Sequence, residues 1–147
     1  MSPIGRVPEE FDVLASELEI HFSQDFTSRW SDLKFEELAL RAFNAQFQYN
    51  PVYRRFCEGK NAVPTAVKSW RDVPMVPTRA FRHLDLVTGD HSSVRMVFRT
   101  SGTTNTTLAP GRHLVSQPAL YHASLLSSFR EYLLPDVEEI KFVSLIP

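Results

Sequence analysis

A single cysteine, Cys57, in 147 residues excludes an intramolecular disulfide and a zinc centre built from several thiolates. Charge of one sign is missing as well, since 16 Lys and Arg stand against 17 Asp and Glu for a formal net charge of −1. A chain so close to neutral has no overall field with which to hold DNA or an anionic membrane, and small-molecule chemistry stays open. No apolar run approaches the roughly 18 residues of a membrane span, and the opening MSPIGRVP lacks the apolar stretch of a secretory leader. The expectation is a cytoplasmic chain with no membrane span and no nucleic-acid partner. Internal repeats and low-complexity segments are absent from the sequence too.

What is present is core material. Hydrophobic residues make up 43% of the chain and include 11 Phe and 2 Trp, enough for a globular body and too much for a disordered one. The length suits one domain, residues 1–147. Over residues 9–22 the apolar positions Phe11, Leu14, Ala15, Leu18 and Phe22 follow helical spacing behind Pro8. A second helix is expected from Ser31 or Asp32, with Phe35, Leu38, Ala39, Ala42, Phe43 and Phe47 on one face, ending near Asn50 because Pro51 disfavours helix before it. Asn50 can cap a short third helix that starts at Pro51, stops at Gly59 and buries Val52, Tyr53 and Phe56. Cys57 sits on that helix as a small hydrophobe, the alternative being a reactive thiol.

Residues 63–77 hold Pro64, Pro74 and Pro77 without a sustained period, and read as an ordered connector anchored to the core by Trp70 and Val73. After the turn at Gly89-Asp90, residues 94–99 alternate, with Val94, Met96 and Phe98 on one face of a half-buried strand. Residues 113–115 suit a short strand. Ser116 and Pro118 then open a helix carrying Tyr121, Leu125, Phe129 and Leu133, closed by Pro135. The apolar run 140–146 reads as a buried strand of a parallel or mixed sheet, whose covering layer would be half missing.

Thr100, Ser101, Gly102, Thr103 and Thr104 place four hydroxyls around one glycine directly after a predicted strand. Such a loop suits phosphate, because the glycine lets backbone approach a ligand while hydroxyls and successive N–H groups donate to its oxygens. Arg112 and His113 are candidates to add charge at the far end. The loop lacks the Lys-Ser/Thr ending of a Walker A motif, which removes the P-loop NTPase reading. A polar turn between two strands has the same composition for local hydrogen-bonding reasons and remains the competing reading.

The run from Phe98 to Thr104, FRTSGTT, resembles the Ser/Thr-Ser/Thr-Gly-Thr-Thr phosphate loop of adenylate-forming enzymes. The run from Val73 to Phe81, VPMVPTRAF, the run from Gly111 to Val115, GRHLV, and the stretch from Ala39 to Phe56 are similar to acyl-protein synthetases of the LuxE type, which supply fatty acid in bacterial bioluminescence. The resemblance covers roughly residues 35–147 and reaches only the first part of a longer family. It implies an α/β fold, with N-terminal helices leading into the first strands of an incomplete adenylate-forming large domain.

It also implies ATP-dependent activation of a long-chain fatty acid as acyl-adenylate and transfer to a protein thiol, with ATP and Mg²⁺ required and an acyl-accepting or reductase protein as partner. On that reading Thr100, Ser101, Gly102, Thr103 and Thr104 bind the ATP phosphates. The family's adenine-binding segments, its mobile lysine-bearing subdomain and its acyl-accepting cysteine have no counterpart here, and Cys57 is in the wrong region to be that cysteine. Asn105 stands where glycine is usual, the path to Gly111 is lengthened, and the usual lysine is absent. The isolated chain is therefore expected to be inactive. A non-catalytic remnant or binding module is the alternative.

The remaining polar residues give ordinary readings. Asp85, Asp90 and His91 lie in a turn-rich stretch where solvated side chains are expected, and no metal site is assigned. His21, His83 and His122 stand singly on or beside helices. The stripe of Phe35, Phe43 and Phe47 reads as core, with an acyl-chain channel as the sharper alternative.

Overall fold

The computed structural model describes residues 9–24, 30–100, 110–137, 139–141 and 143. Three helices open the fold, where the spacing expects them: α1 over Glu9–Ser23, α2 over Asp32–Tyr49 and α3 over Pro51–Glu58. Their ends follow from local chemistry. Glu9, Glu10 and Asp12 place negative charge on the first turn of α1, where the helix dipole favours it. Ser31 Oγ accepts from Lys34 N at 3.2 Å to cap α2. Asn50, 6% exposed, ends α2 and starts α3, its Oδ1 accepting from Tyr53 N at 3.0 Å while Pro51 fills the first turn. Gly59 stops α3 without a left-handed cap: its φ is −62°, and Asn61, at φ 55°, makes the reversal instead.

The core lies where α2 meets α3. Phe43, Tyr53, Cys57 and Val67 form its buried centre, with Leu40, Phe47, Phe56 and Val73 packed around them. Cys57 is fully buried and free, and burial pushes its thiol up from the ordinary value, so it fills space and offers no reactive thiolate. Phe43 sits edge-on to Tyr53 at 6.2 Å and against Phe47 at 6.1 Å. Phe35 departs from the expected stripe. It is 41% exposed and meets Trp70 edge-to-face at 5.3 Å, because its place in the first turn of α2 lies away from α3.

The connector is ordered through specific anchors. Tyr53 Oη donates to Pro74 O at 2.9 Å, Val73 packs on the core, and Trp70 N donates to Glu36 Oε1 at 2.9 Å. Trp70 therefore ties the connector to the start of α2 and stays 39% exposed, outside the core in which it was expected. Short 3₁₀ helices form at Trp70–Asp72, before Pro74, and at Thr78–Arg82, after Pro77.

Helix α1 is joined to α2 by a cluster of ion pairs. Glu17 Oε1 accepts from Lys34 Nζ at 2.8 Å and its Oε2 accepts from Arg41 Nη1 at 2.7 Å, while Glu37 contacts both cations. The hydrogen bond from Lys34, then that from Arg41, lowers Glu17 from 4.5 to about 2. A carboxylate with a lowered folded-state value contributes stability that is complete above its ordinary value of 4.5 and is lost as pH falls through about 2. Melting temperature followed against pH should fall more steeply below pH 4.5 for the natural chain than for Glu17→Gln, so the two curves converge toward pH 2. Parallel curves would show that the ladder is screened to nothing in solution.

Beyond the connector, β1 (Met96–Arg99) pairs antiparallel with β2 (Arg112–Val115), and α4 (Pro118–Leu133) returns to lie against α1, with Gln117 Nε2 donating to Asp12 Oδ1 at 2.8 Å. The chain is thus mixed α/β, its described residues giving four α-helices and one two-stranded antiparallel sheet. The run expected to form a buried strand of a parallel or mixed sheet lies partly outside the described residues, at 142 and 144–146. At 140–146 the described residues Ile140, Lys141 and Val143 are exposed and outside any strand, since β-propensity becomes a strand only where a ladder partner is in place. The burial expected for β1 is also partial, with Met96 half-buried and Phe98 37% exposed. Among the described residues no helix is long and apolar enough to cross a membrane.

Candidate functional site

The hairpin carries the segment expected to bind phosphate. Thr100 follows β1 directly, while Ser101, Gly102, Thr103 and Thr104 lie outside the described residues. The neck of that segment is well defined. Thr100 N donates to Gly111 O at 3.0 Å, and Gly111 N donates to Thr100 Oγ1 at 2.9 Å. Because the Thr100 hydroxyl accepts here, its own O–H is left to donate to a ligand or to water. Gly111 is buried, and a Cβ placed on it would stand 3.4 Å from Thr100 Cγ2 and 3.5 Å from Arg82 Cγ. The threonine methyl and the arginine stem fill the space beside this glycine.

Register decides the electrostatics of the neck. Arg99 pairs with Arg112 across the two strands, and like charges directly opposite one another repel. Asp85 relieves this, its Oδ1 accepting from Arg112 Nη2 at 2.6 Å. With the two side chains 51% and 34% exposed, the pair adds about 1 kcal/mol or less to stability. The cation foreseen for phosphate thus already has a carboxylate. His113, the second foreseen charge, stacks on Phe81 with ring centres 4.2 Å apart, and on the same face its strand neighbour Phe98 meets Tyr121 at 4.9 Å. That aromatic row pins the Thr78–Arg82 turn and α4 to the hairpin.

Sequence reasoning treated Asp85 as a solvated residue and did not single out Arg82 or Phe81. All three reach the hairpin from one turn far upstream in the chain, and contacts over such separations leave no periodic signal. Asp90 is structural, its Oδ1 accepting from Ser92 N at 3.0 Å to start a 3₁₀ turn at His91–Ser93. His21 stands 4.0 Å from Glu17 and edge-on to Trp30, as a core-edge residue does. A groove of about 500 Å³ beside α2 is lined by Leu40, Phe43, Pro64 and Val67 with Arg41 and Lys68. Phe43 of the aromatic stripe lines it, and Phe35 and Phe47 do not.

No protein-family model matches the chain, and no solved structure matches it significantly. Over 107 residues it is 29% identical to the long-chain-fatty-acid–luciferin-component ligase of Vibrio harveyi. That stretch makes up 70% of this chain and 28% of the relative, so the chain spans little more than a quarter of the curated protein it matches. The similarity is distant, and it points in the same direction as the motifs around the hairpin.

Proposed function

We propose that this chain carries the ATP-phosphate hairpin of a ligase that activates a long-chain fatty acid as acyl-adenylate for transfer to a protein thiol. The observation that carries the reading is the similarity to the luciferin-component ligase, which includes a fatty-acid ligase activity in its name. Local chemistry fits an anion at the hairpin. At the neck the stem of Arg82 lies beside Gly111, Arg112 is paired with Asp85, and the Thr100 O–H is left to donate. In the proposed reaction the fatty carboxylate attacks the α-phosphorus and pyrophosphate leaves. Mg²⁺, when bound, would neutralise part of the phosphate charge.

The chain's own part is to bind and orient. Thr100, with Ser101, Gly102, Thr103 and Thr104 beyond the described residues, would donate hydrogen bonds to the phosphates from hydroxyls and backbone. The neck joins Thr100 to Gly111, on either side of that segment. Titration of the ¹⁵N-labelled chain with Mg·ATP tests this. Saturable shift changes at Thr100, Gly111 and the 101–104 amides are expected, with a dissociation constant in the millimolar range because water competes for each donor at an open site. Shifts confined to other parts of the fold, or none, would reduce the segment to a polar turn and leave the chain a binding module or remnant.

A further inference from the structure

Resting on that reading, we infer that Arg82, a residue outside the hairpin, supplies the positive charge that holds the phosphates there, in place of Arg112. Three observations place it. Its Cγ lies 3.5 Å from the position of a Cβ on Gly111, so its stem lies against the neck that Thr100 and Gly111 form. Its turn is fixed to β2 by the neighbouring Phe81, stacked on His113 at 4.2 Å. By strand alternation Gly111 and His113 share one face of the hairpin, with Thr100 opposite Gly111, so Arg82 and Phe81 cover that same face.

Charge balance separates the two arginines. Arg112 donates to Asp85 at 2.6 Å, whereas no carboxylate among the described residues pairs with Arg82. Arg82 is half-buried and borne on a turn that contacts β2. A guanidinium without a carboxylate partner among the described residues, on a stem that lies beside Gly111, is a fork suited to phosphate oxygens, and its planar donors allow two-point contact. The ligand class is an oligophosphate, with the nucleotide triphosphate as the form the proposed reaction uses. The Arg112–Asp85 pair then serves a different end: it quenches the repulsion between Arg99 and Arg112 and keeps the strands in register.

Titrations with Mg·ATP and with inorganic tripolyphosphate, followed by amide shifts at Thr100 and Gly111, test the assignment. Arg82→Gln, which keeps most of the stem, should weaken both anions roughly tenfold or more, the loss expected for one charge-assisted contact. Arg82→Lys should recover part of that loss. The double variant Asp85→Asn with Arg112→Gln removes the pair without changing net charge, and it should bind both anions within about twofold of the natural chain. Circular dichroism confirms that each variant is folded before it is compared.

If the natural chain binds Mg·ATP and Arg82→Gln binds it equally well, Arg82 is excluded and the nucleotide reading stands. A double variant as weak as Arg82→Gln would likewise overturn the assignment, because the charge would then be shared around the neck. Arg82-dependent binding of tripolyphosphate with no preference for Mg·ATP would keep the Arg82 site and remove the adenylation reading. Failure of both anions to bind the natural chain would overturn both.

Discussion

Replacing Phe43 with alanine should cost roughly 3–5 kcal/mol of folding stability, the range for a buried aromatic truncated to a methyl. Phe43 is 3% exposed and touches its neighbours on several sides, with Tyr53 and Phe47 at ring distances and Cys57 and Val67 in the same buried cluster. Helix α3 brings Tyr53 and Cys57 from one side and the connector brings Val67 from another, so no single segment can collapse into the space left behind. Against a total of about 5–15 kcal/mol for a domain, the loss removes a large share of the margin. The midpoint of urea unfolding should fall accordingly without a change in slope. Phe35→Ala makes the comparison sharp, because Phe35 is 41% exposed and meets Trp70 at the fold's edge, so it should cost well under half as much. Equal small losses for the two variants would mean that the α2–α3 core is not packed as described.

The same core shows which parts of the fold could be read from the chain. Helices α1, α2 and α3 were legible to within a residue or two because their boundaries are set by neighbours in sequence: Ser31 bonds three residues ahead, Asn50 does the same, and Pro51 cannot continue α2. The hairpin was legible as two strand signals, but what holds it was not. Its neck depends on Thr100 meeting Gly111, its charge balance on Asp85 meeting Arg112, and its aromatic row on Phe81 meeting His113. Each of those pairs is made by tertiary contact between residues whose local preferences say nothing of one another. Of the run 140–146 only Ile140, Lys141 and Val143 are described, and they are exposed and outside any strand, since an apolar run specifies a strand only after something else has supplied its partner. Of the candidate site, Thr100, Arg112 and His113 could be placed, and Ser101, Gly102, Thr103 and Thr104 fall outside the described residues.

No detectable fatty-acid-dependent exchange of pyrophosphate into ATP is expected from the 147-residue chain by itself. Adenylation needs a carboxylate held in line with the α-phosphorus, and lost orientation of that kind removes several orders of magnitude in rate. Among the described residues the hairpin carries the Thr100 hydroxyl and the stem of Arg82 beside Gly111, while Phe98 and Tyr121 remain partly open to water. Hydrogen bonds at so open a site exchange with water and give little net binding, whereas the same donors in an enclosed site are far more effective. With the region of the Vibrio harveyi ligase outside the 107-residue match fused to this chain, exchange should appear. In that fusion Thr103→Ala should lower the rate roughly tenfold or more, as loss of one charge-stabilising donor does, with KM for the fatty acid little changed because the threonine acts on phosphate. Robust exchange by the unfused chain would show that the hairpin side suffices for catalysis. A fusion that turns over equally well with Thr103→Ala would take the hydroxyl segment out of the reaction, and the neck formed by Thr100 and Gly111 would then be a structural closure of the hairpin.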